Sequence, residues 1–259
     1  MPIAQSNGCP IHYEVEGDAS KPVLMFCNSL GTNLHMWDTQ MPEVLKHFRV
    51  VRYDRRGHGK SGVPAGPYNM EMLGRDALAV LDAAKVEKTN WCGLSMGGMV
   101  GMWLGASAPQ RVNRLILSNT SAYFPDKEIW NGRIKTVQEK GLQAIVQGTL
   151  ERWFTAGFRE REPQKVKAIG EMFLGTKLEG YIACGQAVRD MDHRELLHKI
   201  KAPTLLIAGR HDMATTVENA EFIRDRVPGA KLIVLDAAHI SNVEQADKYT
   251  AAALEFFSA

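Results

Sequence analysis

No stretch of the sequence approaches the roughly 20 consecutive apolar residues that a membrane-spanning helix requires, so no transmembrane segment is expected. An excess of one charge is also lacking: 31 basic residues against 29 acidic leave a formal net charge of +2. Nucleic acid and anionic membrane surfaces call for a basic excess, so neither is expected as a partner. The opening residues, Met1 to Ser6, have no basic start and no apolar run, and no secretion signal is expected. Cysteine is sparse and scattered. Cys9, Cys27, Cys92 and Cys184 form no CxxC pair and no Cys/His cluster, which argues against a metal site. Cys27 and Cys92 lie inside apolar runs and read as reduced core thiols of a cytoplasmic protein. Long charge blocks, internal repeats and low-complexity segments are missing too. With 45% hydrophobic and 23% charged residues over 259 positions, the chain reads as globular, either one large domain or a domain with an insertion.

What the sequence does contain is an alternation of short apolar runs with longer helical patterns. Ile11 to Glu16 alternates like an edge strand. Val23 to Cys27, Phe48 to Tyr53, Thr89 to Gly93, Arg114 to Ser118, Thr204 to Ala208 and Lys231 to Leu235 read as strands buried on both faces. Helical spacing predicts helices over Trp37 to His47, Met70 to Ala84, Gly98 to Ala106, Val217 to Val227 and Val243 to Phe257. This order implies βαβ units: an α/β fold with a mostly parallel central sheet and helices on both faces. Right-handed crossovers then place the strand C-termini on one edge, where such sheets carry their sites.

The alternation stops between Ser121 and Lys199. Ile129 to Gln138, Leu142 to Phe154, Gln164 to Leu174 and Leu178 to Arg189 are all helical in pattern, with no convincing strand among them. The expected division is a core from residues 1–120 and 200–259, with residues 121–199 as a helical cap over the C-terminal edge of the sheet.

Gly93-Leu94-Ser95-Met96-Gly97 fits G-x-S-x-G between a strand and a helix. A sharp strand-to-helix turn there strains the central residue, and the glycines leave room for it. Ser95 is thereby presented as a nucleophile, with the Met96 N–H at a helix N-terminus where developing negative charge is stabilised. A serine hydroxyl needs a base and a group to orient that base. In this arrangement the order is Ser, acid, His. Asp212 follows the strand Thr204 to Ala208, and His239 follows Lys231 to Leu235, so both lie at strand C-terminal ends. His211 precedes the expected position of the base, and Asp236 sits too close to His239 along the chain to be the preferred acid. A second oxyanion donor is expected from the loop Asn28-Ser29-Leu30-Gly31-Thr32, with the Leu30 N–H in the fitting position.

Taken together, GLSMGG around Ser95, the segment Asp54-Arg55-Arg56-Gly57-His58-Gly59-Lys60-Ser61, and Asp212 with His239 resemble the α/β-hydrolase superfamily. Within it the chain is most similar to the 3-oxoadipate enol-lactonases of bacterial aromatic catabolism. The residues that carry this are Asn28 to Trp37, Gly93 to Gly105, Arg152-Trp153-Phe154-Thr155, and Leu235 to Gln245. Many superfamily members have His-Gly in the oxyanion loop; Asn28-Ser29 departs from that and agrees with the lactonases. The resemblance implies a five-membered enol-lactone with a short carboxylate arm as substrate, cleaved without a metal or organic cofactor. An anionic arm in an apolar site needs a cation, preferably a planar one. Arg133 and Arg152 in the cap are the candidates, and Trp153 and Trp37 are candidate pocket walls. Two other readings stay open: a carboxylesterase or cofactor-free perhydrolase or haloperoxidase on the same triad, and a non-catalytic ligand-binding protein of this fold. Both a monomer and a homodimer fit the composition.

Overall fold

The apolar runs form the strands β1 (Ile3–Ser6), β2 (Cys9–Glu16), β3 (Val23–Cys27), β4 (Arg49–Tyr53), β5 (Thr89–Leu94), β6 (Val112–Ser118), β7 (Thr204–Gly209) and β8 (Lys231–Leu235) in the computed structural model. The structure describes residues 2–258; Met1 and Ala259, at the outer ends of the two expected core segments, lie outside the described residues. The strands make one sheet in the order β1-β2-β4-β3-β5-β6-β7-β8. The β1/β2 and β2/β4 pairs are antiparallel, and every other neighbouring pair is parallel.

The first part of the chain differs from expectation at two places. β2 is not an edge strand, because β1 pairs outside it. The turn between them is Asn7-Gly8, both at positive φ (46° and 74°), the backbone that a two-residue hairpin loop demands. The expected helix from Trp37 to His47 is instead a 3-10 turn at Leu34–Trp37 and the one-turn α1 (Met41–Val44). Pro42 can open a helix but cannot continue one from upstream, since it lacks an N–H and its ring crowds the preceding turn.

Between β4 and β6 lie α2 (Met70–Ala83), capped by the Asn69 side chain, and α3 (Met96–Ser107). Four glycines let α3 approach the sheet closely; a Cβ on Gly101 would crowd Trp91 and Leu117. Between β6 and β7 come α4 (Lys127–Lys140), α5 (Val146–Trp153), α6 (Ala156–Arg161), α7 (Pro163–Leu174) and α8 (Leu178–Asp190). Helix α6 was not foreseen; the Thr155 side chain caps it. The chain closes with α9 (Val217–Arg224), α10 (Ser241–Glu244) and α11 (Ala246–Ser258). The predicted single helix from Val243 is split at Gln245, whose backbone leaves the helical region (φ −122°, ψ 49°).

Helices cover both faces of the sheet. Neighbouring residues of a strand point to opposite faces. Trp91 Nε1 donates to Gly97 O of α3, whereas the next residue, Cys92, meets the Tyr249 hydroxyl of α11. All four cysteines are buried and unpaired, and burial pushes the Cys92 and Cys184 thiols up to about 12. Among the described residues no helix is long and apolar enough to cross a membrane.

Candidate active site

The strand order reverses between β3 and β5, because β3 leads to β4 on one side while β5 leads to β6 on the other. Clefts at such a reversal are where open parallel sheets bind ligands. Cys27 of β3 pairs with Gly93 of β5, so the loops that follow, Asn28 to Leu30 and Leu94 to Met96, emerge side by side. Ser95 sits at φ 58°, ψ −116°, outside the regions open to ordinary side chains. The turn is held by the Ser95 N–H to Ser118 O (2.8 Å) and by the Thr120 hydroxyl to Ser95 O (2.8 Å). A Cβ on Gly97 would overlap the Cys27 carbonyl oxygen, so only glycine admits this approach of α3 to β3. Ser95 keeps 9% of its surface exposed, facing a cavity.

Asp212 and His239 leave β7 and β8 along the same edge, where Gly209 pairs with Leu235. His239 Nδ1 lies 2.7 Å from Asp212 Oδ2. That oxygen also accepts from the Thr215 hydroxyl (2.7 Å) and Asn119 Nδ2 (2.9 Å), while Oδ1 accepts from the Ala214 and Thr215 N–H groups (2.8 and 3.0 Å). Burial by itself would raise the Asp212 carboxyl. The facing His239 and the hydrogen bonds from His239, Asn119 and Thr215 outweigh it and hold the group below its ordinary value. Asp212 can therefore hold a charge opposite His239, and the arrangement can fix the tautomer that leaves Nε2 free to accept a proton. The other acid considered, Asp236, pairs with His211 (2.8 Å) on the exposed surface.

A cavity of about 630 Å³ brings the expected residues together: Ser95, Met96, Leu30 and His239 at its floor, and Arg133, Arg152 and Trp153 from the helices between β6 and β7. The Trp153 ring lies nearly parallel to His239 (centroids 6.3 Å apart, 26°). The Met96 N–H begins α3 and has no acceptor within it. The Leu30 N–H makes no hydrogen bond to any described residue. Neither N–H is committed to an acceptor among the described residues, and both residues line the cavity with Ser95.

The two arginines differ. Arg133 is braced, its Nε donating to the Tyr181 hydroxyl (2.6 Å) and its Nη2 to Thr149 Oγ1 (2.9 Å). Arg152 makes no hydrogen bond or ion pair with another described residue. Burial, and then the charge of Arg133, pull the Arg152 guanidinium below its ordinary value. Neither arginine forms a salt bridge among the described residues; the lining holds these two cations and one carboxylate, Asp126, whose side chain caps α4, so the cavity carries a net positive charge.

One candidate is corrected. Trp37 does not wall the cavity. It is fully buried, stacked on Phe26 (4.4 Å), with its indole N–H on Asn28 Oδ1 (3.1 Å). The sequence reading also missed Asn119 and Thr215, which grip Asp212, and Tyr181 and Thr149, which brace Arg133. Asn119 directly follows β6 on the site edge and was accessible to the same strand-end logic; Tyr181 had no local signal. A second groove of about 730 Å³ is lined by Arg210 to Met213, Asp236 and Glu244, and Ser95 does not line it.

Comparison with known proteins identifies the family. The family described as alpha/beta hydrolase fold matches residues 22–246. The chain is 41% identical to 3-oxoadipate enol-lactonase 2 of Acinetobacter baylyi, over 91% of this chain and 88% of that protein. It is 35% identical to 3-oxoadipate enol-lactonase 1 of the same organism, over 95% and 92%. The crystal structure of the enol-lactonase from Burkholderia xenovorans LB400 superposes with a TM-score of 0.98 at 40% identity, covering both chains fully. With the strained serine turn, the sheet order and these matches in hand, the chain is placed as a member of the α/β-hydrolase fold family.

Proposed function

We propose that this carboxylic ester hydrolase opens 3-oxoadipate enol-lactone to 3-oxoadipate in the cytoplasmic breakdown of aromatic compounds. The observation that carries the reading is the two-ended cavity. One end holds Ser95 and the Asp212–His239 pair, and the other holds two arginines that form no ion pair among the described residues, against a single lining carboxylate, Asp126. A small lactone with a carboxylate arm matches both ends at once, whereas a neutral ester would leave the arginines unpaired. The names of the similar proteins point the same way. Four buried, unpaired cysteines suit a reducing compartment. The helices of residues 121–199 act as the cap that supplies the cationic end.

The chemistry follows from the placement. His239, oriented by Asp212, takes the Ser95 proton as Oγ bonds to the lactone carbonyl carbon. The carbonyl electron pair moves onto oxygen, which the Leu30 and Met96 N–H groups receive. As the carbonyl re-forms, the ring C–O bond breaks and the enol oxygen leaves with the proton from His239. The leaving group stays tethered because the substrate is cyclic. Water, deprotonated by His239, then releases Ser95, and the enol tautomerises to the 3-oxo acid. An enolate leaves more readily than an alkoxide, so the cavity mainly orients and desolvates the lactone.

The test is hydrolysis of freshly generated enol-lactone, followed by its ultraviolet absorbance, with the parent protein and Ser95→Ala. Fast turnover by the parent, and a loss of roughly a thousandfold or more in the variant, is expected. A folded parent protein that gives no acceleration would remove the named substrate. An unaffected Ser95→Ala variant would remove the nucleophile.

A further inference from the structure

The segment after β4 contains a buried cation with no counter-charge. Arg55 is 1% exposed, and its Nε and Nη1 have no hydrogen-bond partner among the described residues. The neighbouring carboxylates are committed elsewhere. Asp76 receives two 2.6 Å hydrogen bonds from Arg56, and Asp54 is taken by His12, the Leu34 N–H and the Lys60 N–H. Burial also keeps its titratable neighbours uncharged, with the Cys184 thiol raised to about 12 and His58 lowered to about 3. Leaving a guanidinium buried and unpaired is costly, so its location calls for a reason.

Its one engaged nitrogen supplies that reason. Arg55 Nη2 donates to the carbonyl of Asn28 and to that of Ser29 (3.2 Å). The Ser29 carbonyl belongs to the same peptide unit as the Leu30 N–H, and in a trans peptide the two point in opposite directions. The same carbonyl accepts from the Thr32 hydroxyl (2.9 Å) and the Thr32 N–H (3.3 Å). On the next peptide, the Gly31 N–H donates to Nε2 of neutral His58 (2.9 Å). The Leu30 N–H is therefore clamped from both sides, and its peptide is polarised from behind by three donors, one of them charged. Hydrogen bonds in such a chain strengthen one another.

We infer that Arg55 is a positioning residue for ester cleavage: through the Ser29 carbonyl it aims and strengthens the Leu30 N–H toward the oxyanion, with Thr32 and His58 completing the clamp. This rests on the reading of Ser95 as nucleophile and Leu30 as oxyanion donor. A residue acting only on structure would change folding or substrate binding. A residue acting through the oxyanion must change kcat and the affinity for a tetrahedral mimic together.

The experiment uses p-nitrophenyl acetate as reporter and 2,2,2-trifluoroacetophenone as probe. Its carbonyl carbon takes Ser95 Oγ, its oxygen becomes the oxyanion, and the Ser95 proton passes to His239. Arg55→Met is expected to lower kcat about 10- to 100-fold, less than the loss of a whole oxyanion donor, with KM within about twofold. Affinity for the ketone should fall by the same factor. Thr32→Val, a smaller change that keeps the cation, should give about a three- to tenfold loss in both quantities and decides the matter if Arg55→Met does not fold. Unchanged kcat in the folded variants, or a fall in kcat without weaker ketone binding, would overturn the clamp. Ser95→Ala separates the two levels: if it is inert while Arg55→Met is fully active, only the clamp fails, and if it stays active, the nucleophile reading fails with it.

Discussion

Arg152 offers a test in which function and stability should move in opposite directions. Its guanidinium is partly buried, has no hydrogen bond or ion pair among the described residues, and feels the charge of Arg133. In the substrate-free protein this is a cost. Like charges in partly solvated positions repel by a few tenths to about 1 kcal/mol. Replacing Arg152 by Met keeps the apolar stem and removes the repulsion, so the melting temperature should rise by up to about 2–4 °C for a chain of this size. In the complex the sign reverses. A charge-assisted hydrogen bond to a carboxylate contributes roughly 1.5–3 kcal/mol, and partial solvent screening trims that toward the lower value. At about 1.4 kcal/mol per decade, KM for the enol-lactone should rise roughly 10- to 100-fold in Arg152→Met, with kcat changed much less. Hydrolysis of p-nitrophenyl acetate, which has no carboxylate, should be unaffected. The assay is a steady-state comparison of both substrates alongside differential scanning fluorimetry. A proportional loss on both substrates would refute the argument that Arg152 reads the anionic arm, as would a lower melting temperature with unchanged KM.

Asp212→Asn keeps the shape of the site but cannot hold a charge against His239; by analogy with the serine-protease case, kcat should drop about ten-thousandfold in steady-state assays, with KM little changed. Its folded carboxyl lies below the unfolded value of 3.8, so its stabilising contribution is complete above that pH and is lost as pH falls through the lower folded value. A thermal melt series on the acid side should show this part of the slope in the parent protein and not in Asp212→Asn; identical slopes would contradict it. Gly97→Ala would drive a Cβ into the Cys27 carbonyl and should cost about 3 kcal/mol or more, read as a loss of folded protein on circular dichroism. A stable, active Gly97→Ala would mean that α3 does not seat this closely on β3.

Most of the sheet was legible because parallel strands covered on both faces are continuous apolar runs, and Val23–Cys27 and Lys231–Leu235 have the bounds expected of them. β1 is short and mixed in polarity, with alternating exposed and buried residues, and its signal lay in the Asn7-Gly8 turn rather than in the strand itself. The breaks at Pro42 and Gln245, inside apparent helices, were harder to see: the helical spacing continues through Gln245 although the backbone does not. In the site, Ser95, Asp212 and His239 could be picked out because a strand-end position and a motif are properties of the local sequence. Asn119 and Arg55 act through hydrogen bonds to other elements, and the partner of such a bond is not written nearby; Thr215 is only three residues from Asp212, but no motif marks it. Trp37 shows the converse error. As a tryptophan it was a candidate pocket wall or a buried structural residue, and stacking on Phe26 with the bond to Asn28 puts the ring in the core.

The contact between Gly57 and Gly180 bears on how substrates reach Ser95. A Cβ on either glycine would overlap the other's backbone, so α8 rests on the segment after β4 main chain to main chain. A seam of that kind has no side chains that can fold aside. The cavity lining also includes Ile129 at the start of α4 (70% exposed) and Met213 beside Asp212 (71% exposed), two apolar side chains that can move where the glycine seam cannot. A fixed α8 in turn holds Tyr181, and through its hydrogen bond Arg133, so any adjustment to the size of a bound molecule falls to those two side chains rather than to the cationic group.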